Sequence, residues 1–266
     1  MGMRRVIALS MILLGGLVAS APAAWAAAEV HRLSLILSSN PTQLVGGDFN
    51  DLLDDYNQEV LNPRGLETLD KISNSWYQQA ELRYFVRPNV SVSAGFGYIR
   101  SITRLEYLPR LSESIHHRVE VLSVPVHVGA AYYLAPYNQG DFQARAYLGG
   151  GFLSYTGTKV VFERLEFGTD DVTTLAEPDE PRSFRVTGER DGPGYYLEAG
   201  AHMFFAVRYS VMLGVIYRRG AIRDLALSAD LYLPDGQVVT VPLSDEETFS
   251  IDLGGVGARM GVGIGF

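Results

Sequence analysis

The chain has 266 residues, of which 47% are hydrophobic and 20% charged, with 28 glycines, 15 tyrosines and no cysteine. The lack of cysteine excludes a disulfide framework, a thiolate metal site, a thiol nucleophile and a lipid anchor on cysteine. The formal net charge is −8, and so acidic a chain lacks the basic surface that binds nucleic acid.

The first 28 residues have the features of a secretory signal peptide. Two arginines at positions 4 and 5 precede an apolar run from Val6 to Val18, and Ala24-Trp25-Ala26 matches the small-x-small cleavage pattern. The run is shorter than the roughly 20 residues of a membrane-spanning helix, which disfavours a transmembrane anchor. We expect cleavage near Ala26 or Ala28. The remaining domain, residues 29–266, would then have a formal net charge of −10, because cleavage removes two arginines from a chain of net charge −8.

No later segment contains 18 consecutive apolar residues. Backbone polar groups inside a bilayer must all be paired, and only helices and closed sheets achieve this. A membrane protein without long apolar runs is therefore predicted to be a β-barrel.

Segments of about ten alternating residues repeat along the chain, as expected for strands with one apolar face. In Val90 to Ile99, Val92 and Phe96 share the apolar parity, whereas serine and glycine occupy the other. Eight such strands are predicted: Arg32–Ser39, Trp76–Val86, Val90–Arg100, Val119–Leu134, Phe142–Lys159, Tyr195–Val207, Val211–Arg219 and Phe249–Phe266.

Short and long connections alternate between these strands. Residues 87–89, 136–141 and 208–210 form the short connections, so the four long ones emerge from one end. This alternation is typical of transmembrane barrels, whereas a soluble sandwich would mix loop lengths. The predicted fold is an all-β, antiparallel up-and-down transmembrane barrel of about eight strands with acidic external loops. The flanks of the third long loop, residues 159–167 and 182–189, are expected to extend their hairpin beyond the membrane.

The last predicted strand alternates apolar residues with glycine and ends at Phe266. A terminal strand ending in phenylalanine resembles the signal that outer-membrane barrels present to their assembly machinery. The chain from residue 29 resembles the OmpA-like and OmpX-like β-barrel superfamily. This resemblance implies a bacterial outer-membrane location and contact with lipid and lipopolysaccharide. It also implies use of the barrel assembly machinery through Phe266. We expect a monomer without cofactors and, unlike full OmpA-type proteins, no periplasmic domain after the last strand. It is architectural, names no subfamily and transfers no functional residues.

The first long loop contains a predicted helix. Its apolar residues lie at helical spacing, Asp48 is a candidate N-cap, Pro63-Arg64-Gly65 is a stop signal, and residues 66–72 could add another turn. Two interpretations stay open: a cap or partial plug docked on the barrel, and an exposed, partly ordered helical loop. The residues of the apolar face are Phe49, Leu52, Leu53 and Tyr56.

Several ionisable side chains fall on the inward parity of the predicted strands. Charges inside an eight-stranded lumen must be paired, because the lumen is just wide enough for side chains. We therefore expect the two glutamates to approach arginines and favour a structural salt-bridge core over a polar relay or solute path. The residues of this lumen network are Glu81, Arg83, His127, Arg145, Glu198, His202, Arg218 and Arg259.

The candidate chemistry points away from an enzyme or a metal site. His116 and His117 face opposite sides of a strand, and the acidic clusters at 54–55, 170–171 and 245–247 lack calcium-loop spacing. There is no nucleophile elbow, H-E-x-x-H or P-loop. His202 and Ser210 could imitate the His–Ser pair of barrel lipid hydrolases, but Ser210 falls in a short turn at the wrong end. The predicted function is a non-enzymatic barrel with a structural or ligand- and partner-binding role. The alternatives are a narrow channel or small-molecule transporter, and a lipid-modifying enzyme.

Overall fold

The computed structural model describes residues 32–110, 113–167, 183–205, 208–233, 237–242 and 249–266. The expected signal peptide lies outside these residues, as do the acidic clusters at 170–171 and 245–247.

Thirteen strands are formed by the described residues, and eight of them close into a barrel. The strands are β1 (Leu33–Gln43), β2 (Asn74–Arg87), β3 (Val90–Arg110), β4 (Glu113–Tyr133), β5 (Tyr137–Gln139), β6 (Phe142–Phe167), β7 (Ser183–Glu189), β8 (Gly192–Phe205), β9 (Tyr209–Arg219), β10 (Ala221–Tyr232), β11 (Val238–Pro242), β12 (Phe249–Asp252) and β13 (Gly255–Gly265). The wall runs β1-β2-β3-β4-β6-β8-β9-β13, antiparallel throughout, and β13 pairs with β1. The predicted eight-stranded fold is confirmed.

The barrel wall is apolar outside and polar or small inside, as the alternation predicts. Large outward side chains such as Phe152 and Leu148 are 73% and 65% exposed. A continuous apolar belt of this kind would be an aggregation site in water, whereas it matches the hydrocarbon core of a bilayer. The barrel is therefore a transmembrane barrel.

No helix among the described residues is long and apolar enough to cross a bilayer.

The two ends of the barrel differ. At one end, here the turn end, short links such as Pro88-Asn89 join neighbouring strands, and β5 pairs with β6. At the other, here the loop end, β3, β4 and β6 continue far beyond β1, β2 and β8 and pair with one another. The short connections therefore lie at one end, as the sequence predicts. The second long connection, residues 101–118, is not a loop, because β3 runs to Arg110 and β4 begins at Glu113.

A small β structure, here the extension, continues the wall at the loop end and consists of the end of β6 together with β7, β10, β11 and β12. Near Gly157, whose φ is +57°, β6 exchanges its partner β8 for β7. This confirms the expected hairpin beyond the membrane. β10 then pairs with β7, β11 and β12. The last long connection, which the predicted strands Val211–Arg219 and Phe249–Phe266 leave between them, is therefore not a simple loop, because β10 and β11 lie within it.

The predicted eighth strand, Phe249–Phe266, is interrupted. Its first part, β12, pairs with β10 in the extension, and only β13 belongs to the barrel wall. At Gly255 the φ is +153°, and a Cβ there would lie 1.7 Å from the backbone oxygen of Gln43. Only glycine fits this position, so the strand breaks where the chain passes from the extension into the wall.

The first long loop contains the helix α1 (Asp48–Tyr56), followed by a π turn to Leu61 and a 3-10 turn over Asn62–Arg64. Gly65, at φ +68°, ends it, which confirms the predicted stop. The expected N-cap is wrong: Gly47 occupies that position, and Asp48 instead accepts a hydrogen bond from Ser250 Oγ at 2.6 Å. The further turn after Gly65 does not form, because residues 66–72 are irregular.

Two buried asparagines join the helical segment to the irregular chain that returns from it. Asn50 donates through Nδ2 to the carbonyls of Val45 and Ile72 and accepts from Ile72 N at 2.9 Å. Asn57 makes the same two-way contact with Leu69, at 2.8 and 2.9 Å. These bonds satisfy backbone groups that would otherwise be buried without partners.

We expect Asn50→Ala to loosen the first loop without disturbing the barrel. The change leaves buried backbone groups unpaired, which costs about 1–3 kcal/mol. Limited proteolysis of folded protein should therefore cleave residues 46–72 faster than in the unaltered chain.

The exposed Asn62 provides the control for this change. Asn62→Ala should leave the cleavage rate unchanged. Equal rates for Asn50→Ala and the unaltered chain would show that this side chain does not hold the loop.

Candidate functional site

The lumen brings most of the inward-facing ionisable residues into one network. Glycines occupy inward positions of the wall that pair in register with large charged residues, and this leaves room in the lumen for those side chains. A Cβ at Gly95, which pairs with both Glu81 and His127, would lie 2.6 Å from the His127 ring. The eight residues predicted for the lumen are all buried in the structure.

Two glutamates and two arginines form a closed ring of ion pairs across the lumen, here the ion ring. Arg83 contacts Glu81 at 2.7 Å and Glu198 at 2.8 Å. Arg259 contacts Glu81 at 3.0 Å and also binds Glu198. All four side chains are at most 1% exposed. Each carboxylate is therefore shared by two guanidinium groups, so the ring has no net charge.

Neutral polar side chains complete the network around the ion ring. Gln79 Nε2 lies 3.0 Å from both Glu81 Oε2 and His127 Nε2. The Tyr133 hydroxyl accepts a bond from Arg83 at 2.7 Å and lies 3.1 Å from His202 Nδ1. Sequence reasoning missed Gln79 and Tyr133 because it selected ionisable residues only. Their parity, shared with Glu81 and His127, was the signal that could have found them.

Two of the predicted lumen arginines stay outside the ion ring. Arg145, near the turn end, donates to Gln143 Oε1 at 2.8 Å and to the backbone oxygen of Pro88. Arg218, on the loop-end side, packs its guanidinium 4.3 Å from the centre of the Tyr77 ring. Both glutamates therefore pair with Arg83 and Arg259. Strand parity alone could not predict which of the four arginines would form these pairs.

An apolar layer lies on the loop-end side of the ion ring. It is one cluster that reaches from the upper wall into the extension and includes the helix α1. Phe49 and Leu53 are buried in this cluster, while Leu52 and Tyr56 are half-buried against it. The predicted apolar face of the helix is therefore docked at the barrel's loop end and not exposed. The cluster members that belong to the wall include Tyr77, Ile99, Val121, Leu153, Tyr155, Tyr196 and Ile216.

A buried histidine joins the helix to the wall. His117 Nε2 lies 2.9 Å from the Tyr56 hydroxyl, and the Tyr107 ring packs edge-on against the imidazole. Burial, aided by the nearby charges of Arg164 and His116, lowers the pKa of His117 to about 4. His116 points to the other side of β4, as predicted. The imidazole of His117 is thus neutral at pH 7.

An apolar cavity of about 270 Å³ lies between α1 and the extension. The few polar atoms at its edge, in Tyr56 and Ser250, already have hydrogen-bond partners in His117 and Asp48. Its walls are therefore suited to a hydrocarbon surface. The lining residues are Phe49, Leu52, Leu53, Tyr56, Val160, Phe162, Phe184, Val186, Gly188, Leu225, Leu227, Phe249, Ser250 and Ile251.

Other candidate sites receive no support from the described part of the chain. It holds no group of three or more His, Asp or Glu side chains placed to bind a metal. Asp54 pairs with Lys71 at 2.5 Å. His202 Nδ1 lies within hydrogen-bonding distance of the Tyr133 hydroxyl, and Ser210 pairs in register with Phe204 at the turn end.

The search among known proteins found similar structures but no sequence family. No protein-family model matches, and no curated protein matches in sequence. The chain is similar to the N-terminal barrel domain of Pseudomonas aeruginosa OprF, at 11% identity and TM-score 0.39, over 90% of this chain and 100% of that one. It is similar to P. aeruginosa OprG at 12% identity and a TM-score of 0.43, with 89% of this chain and 96% of that chain covered. It is also similar to the Escherichia coli protease OmpT at 9% identity and a TM-score of 0.34, with 88% of this chain and 95% of that chain covered. These neighbours are bacterial outer-membrane proteins, and at these identities the likeness concerns the fold alone.

We expect Glu198→Gln to destabilise the barrel strongly. It removes one of the two carboxylates from the ion ring and leaves Arg83 and Arg259 with an unbalanced buried charge, which costs roughly 3–5 kcal/mol. The urea midpoint of unfolding, followed by heat-modified gel mobility, should fall accordingly.

Glu189 serves as the matched control, because its ion pair with Lys159 is solvent-exposed. Such pairs contribute about 0–1 kcal/mol, so Glu189→Gln should leave the midpoint nearly unchanged. If Glu198→Gln behaved like Glu189→Gln, the ion ring would not stabilise the barrel.

We also expect the docking of α1 to weaken in acid. The folded pKa of His117 is about 4, and the ordinary value is about 6.5. Undocking exposes His117, so the undocked state binds more protons between these values. The docked state keeps its full stability above pH 6.5 and loses at most about 3 kcal/mol as the pH falls to 4.

The measurement is the rate of proteolysis of the first loop between pH 7 and pH 4, with a protease active throughout. The rate should rise as the pH falls. His117→Phe, which cannot take up a proton, should remove that rise, and a rise that persists in this variant would assign the effect to another group.

Proposed function

We propose that the chain is a closed, non-enzymatic barrel of the bacterial outer membrane whose extension binds a small apolar molecule outside the cell. One observation carries the proposal: the cavity lies between α1 and the extension, whereas the ion ring and the apolar layer fill the lumen. Small-molecule sites are typically concave, mostly apolar and few per protein. The space for a ligand is therefore beside the docked helix and not along the barrel axis.

The location follows from the wall and the ends of the barrel. The apolar belt requires a membrane, and single-chain barrels with short turns at one end and long loops at the other belong to outer membranes. In such barrels the long loops face outward. The extension and its cavity would then meet molecules that arrive from outside.

The cavity's size and walls define the ligand class. Its volume of about 270 Å³ suits a small organic molecule. Aromatic and aliphatic side chains dominate the lining, and a concave site with such walls favours apolar molecules. A neutral aromatic or short alkyl compound fits this description.

The two other functions that the sequence leaves open have less support. A channel needs a continuous polar path, but ion-paired side chains at most 1% exposed cross the lumen. A lipid-modifying enzyme needs an activated nucleophile at the rim. Within the described residues, the candidate histidine His202 is instead buried and bonded to Tyr133.

Val186→Trp tests the ligand site, because Val186 lines the cavity and a larger side chain would fill it. We expect saturable binding of the neutral probe 1-N-phenylnaphthylamine to the barrel in lipid nanodiscs, with empty nanodiscs subtracted. The variant should raise the Kd at least about tenfold, which corresponds to about 1.4 kcal/mol.

Val238→Trp is the control, since Val238 is exposed on β11 and does not line the cavity. It should bind the probe like the unaltered protein. Probe uptake that never saturates, or equal binding by Val186→Trp, would contradict the ligand site. An open-pore current through the purified barrel would contradict the closed lumen.

A further inference from the structure

Arg218 is a buried cation in the lumen without a hydrogen-bonding partner among the described residues. Its side chain is inward on β9 and the residue is 1% exposed. In the described part of the chain, none of its three guanidinium nitrogens has a hydrogen-bond acceptor, and no carboxylate forms an ion pair with it. A guanidinium carries five N–H donors, so an unusually large donor capacity is left unused.

The position of Arg218 places it between the ion ring and the apolar layer. Arg218 pairs in register with Tyr196, and Glu198 is the next inward residue of the same strand. Two residues along a strand span roughly 7 Å, so Arg218 lies one inward step above Glu198. On its other side are the apolar residues of the cluster that contains α1.

The charges around Arg218 do not balance it. In the ion ring, Arg83 and Arg259 already neutralise Glu81 and Glu198. The buried charges nearer the loop end have their own partners: Glu120 binds Arg100 and Arg118, and Arg164 binds Glu166. The described lumen therefore keeps surplus positive charge, and at the loop-end side that surplus is Arg218.

Neither an aromatic ring nor water removes this imbalance. The Tyr77 ring covers one face of the guanidinium at 4.3 Å, but a ring accepts no N–H bond at the guanidinium edge. Water can accept those bonds but supplies no counter-charge, and an uncompensated buried charge is strongly unfavourable. A negative ion provides both the hydrogen-bond acceptor and the counter-charge.

We propose that Arg218 binds a small inorganic anion, of the size and weak hydration of chloride or bromide, inside the lumen. Two features select this class. Arg218 is almost fully shielded from solvent, which disfavours large organic anions, and the aromatic rings of Tyr77 beside it and Tyr196 opposite it on β8 disfavour strongly hydrated ions such as sulfate. This anion site is independent of the apolar ligand site in the extension.

The test compares urea unfolding of the purified full chain, folded in detergent micelles, in sodium chloride, bromide and gluconate at equal ionic strength. An anion that binds only the folded state multiplies the folded-to-unfolded ratio, by about 100-fold at 100 times its Kd. The midpoint should therefore be higher in chloride and bromide than in gluconate, and the difference should saturate with halide concentration.

Arg218→Met should abolish the halide effect and make the midpoint equal in all three salts. Two arginine variants provide controls: Arg219→Met alters the exposed neighbour on the outer face, and Arg145→Met alters the other arginine outside the ion ring. Both should keep the halide effect. A halide-independent midpoint in the unaltered protein, or a halide effect that survives Arg218→Met, would overturn the proposal.

Crystals grown with bromide give a second measurement that does not depend on a variant that folds. An anomalous peak beside the Arg218 guanidinium is the expected result. Bromide found only elsewhere would overturn the site. A peak at Arg218 without a halide-dependent midpoint would mark an adventitious ion only and would also overturn it.

Discussion

The hydrogen bonds between β1 and β13 close the sheet, and the remaining structure depends on this closure. Closure gives the backbone groups of the edge strands partners, which a sheet in lipid requires. It also fixes one inside and one outside for all eight strands. The outside then carries apolar side chains, while the inside becomes a narrow space that admits only small residues or well-paired large ones.

The ion ring is the result of that narrow space. Four large charged side chains fit because glycines occupy inward positions beside them; at Gly149, a Cβ would lie 2.9 Å from Glu198 Oε1. The charges are withdrawn from water, so each must be compensated locally. Sharing each carboxylate between two arginines does this for the ring. Among the described residues, Arg145 and Arg218 have no carboxylate partner in the lumen, and of these two only Arg218 also lacks a hydrogen-bond acceptor.

The loop end follows a different physical principle. Beyond the membrane, β6, β7, β10 and β12 supply an apolar surface, and the short helix α1 covers it. A helix of nine residues is marginal alone, so its burial against this surface stabilises both parts. Asn50 and Asn57 satisfy the backbone that the helix buries, and Tyr56 connects to His117. The apolar cavity lies where the helix and the sheet do not fill the space between them.

The sequence by itself determined the strands of the wall, their outward and inward parity, the alternation of connections, and the helix with its stop at Gly65. These features repeat with a local period and need only neighbouring residues to be recognised. Tertiary structure alone decided that Glu81 and Glu198 select Arg83 and Arg259, that the last strand breaks before Gly255, and that residues 221–248 contain β10 and β11. It also replaced the expected Asp48 cap with a contact to Ser250. The choice of arginines depends on the reach of side chains across a space that exists only after closure. The strand break and the contact of Asp48 depend on segments that are far apart in sequence.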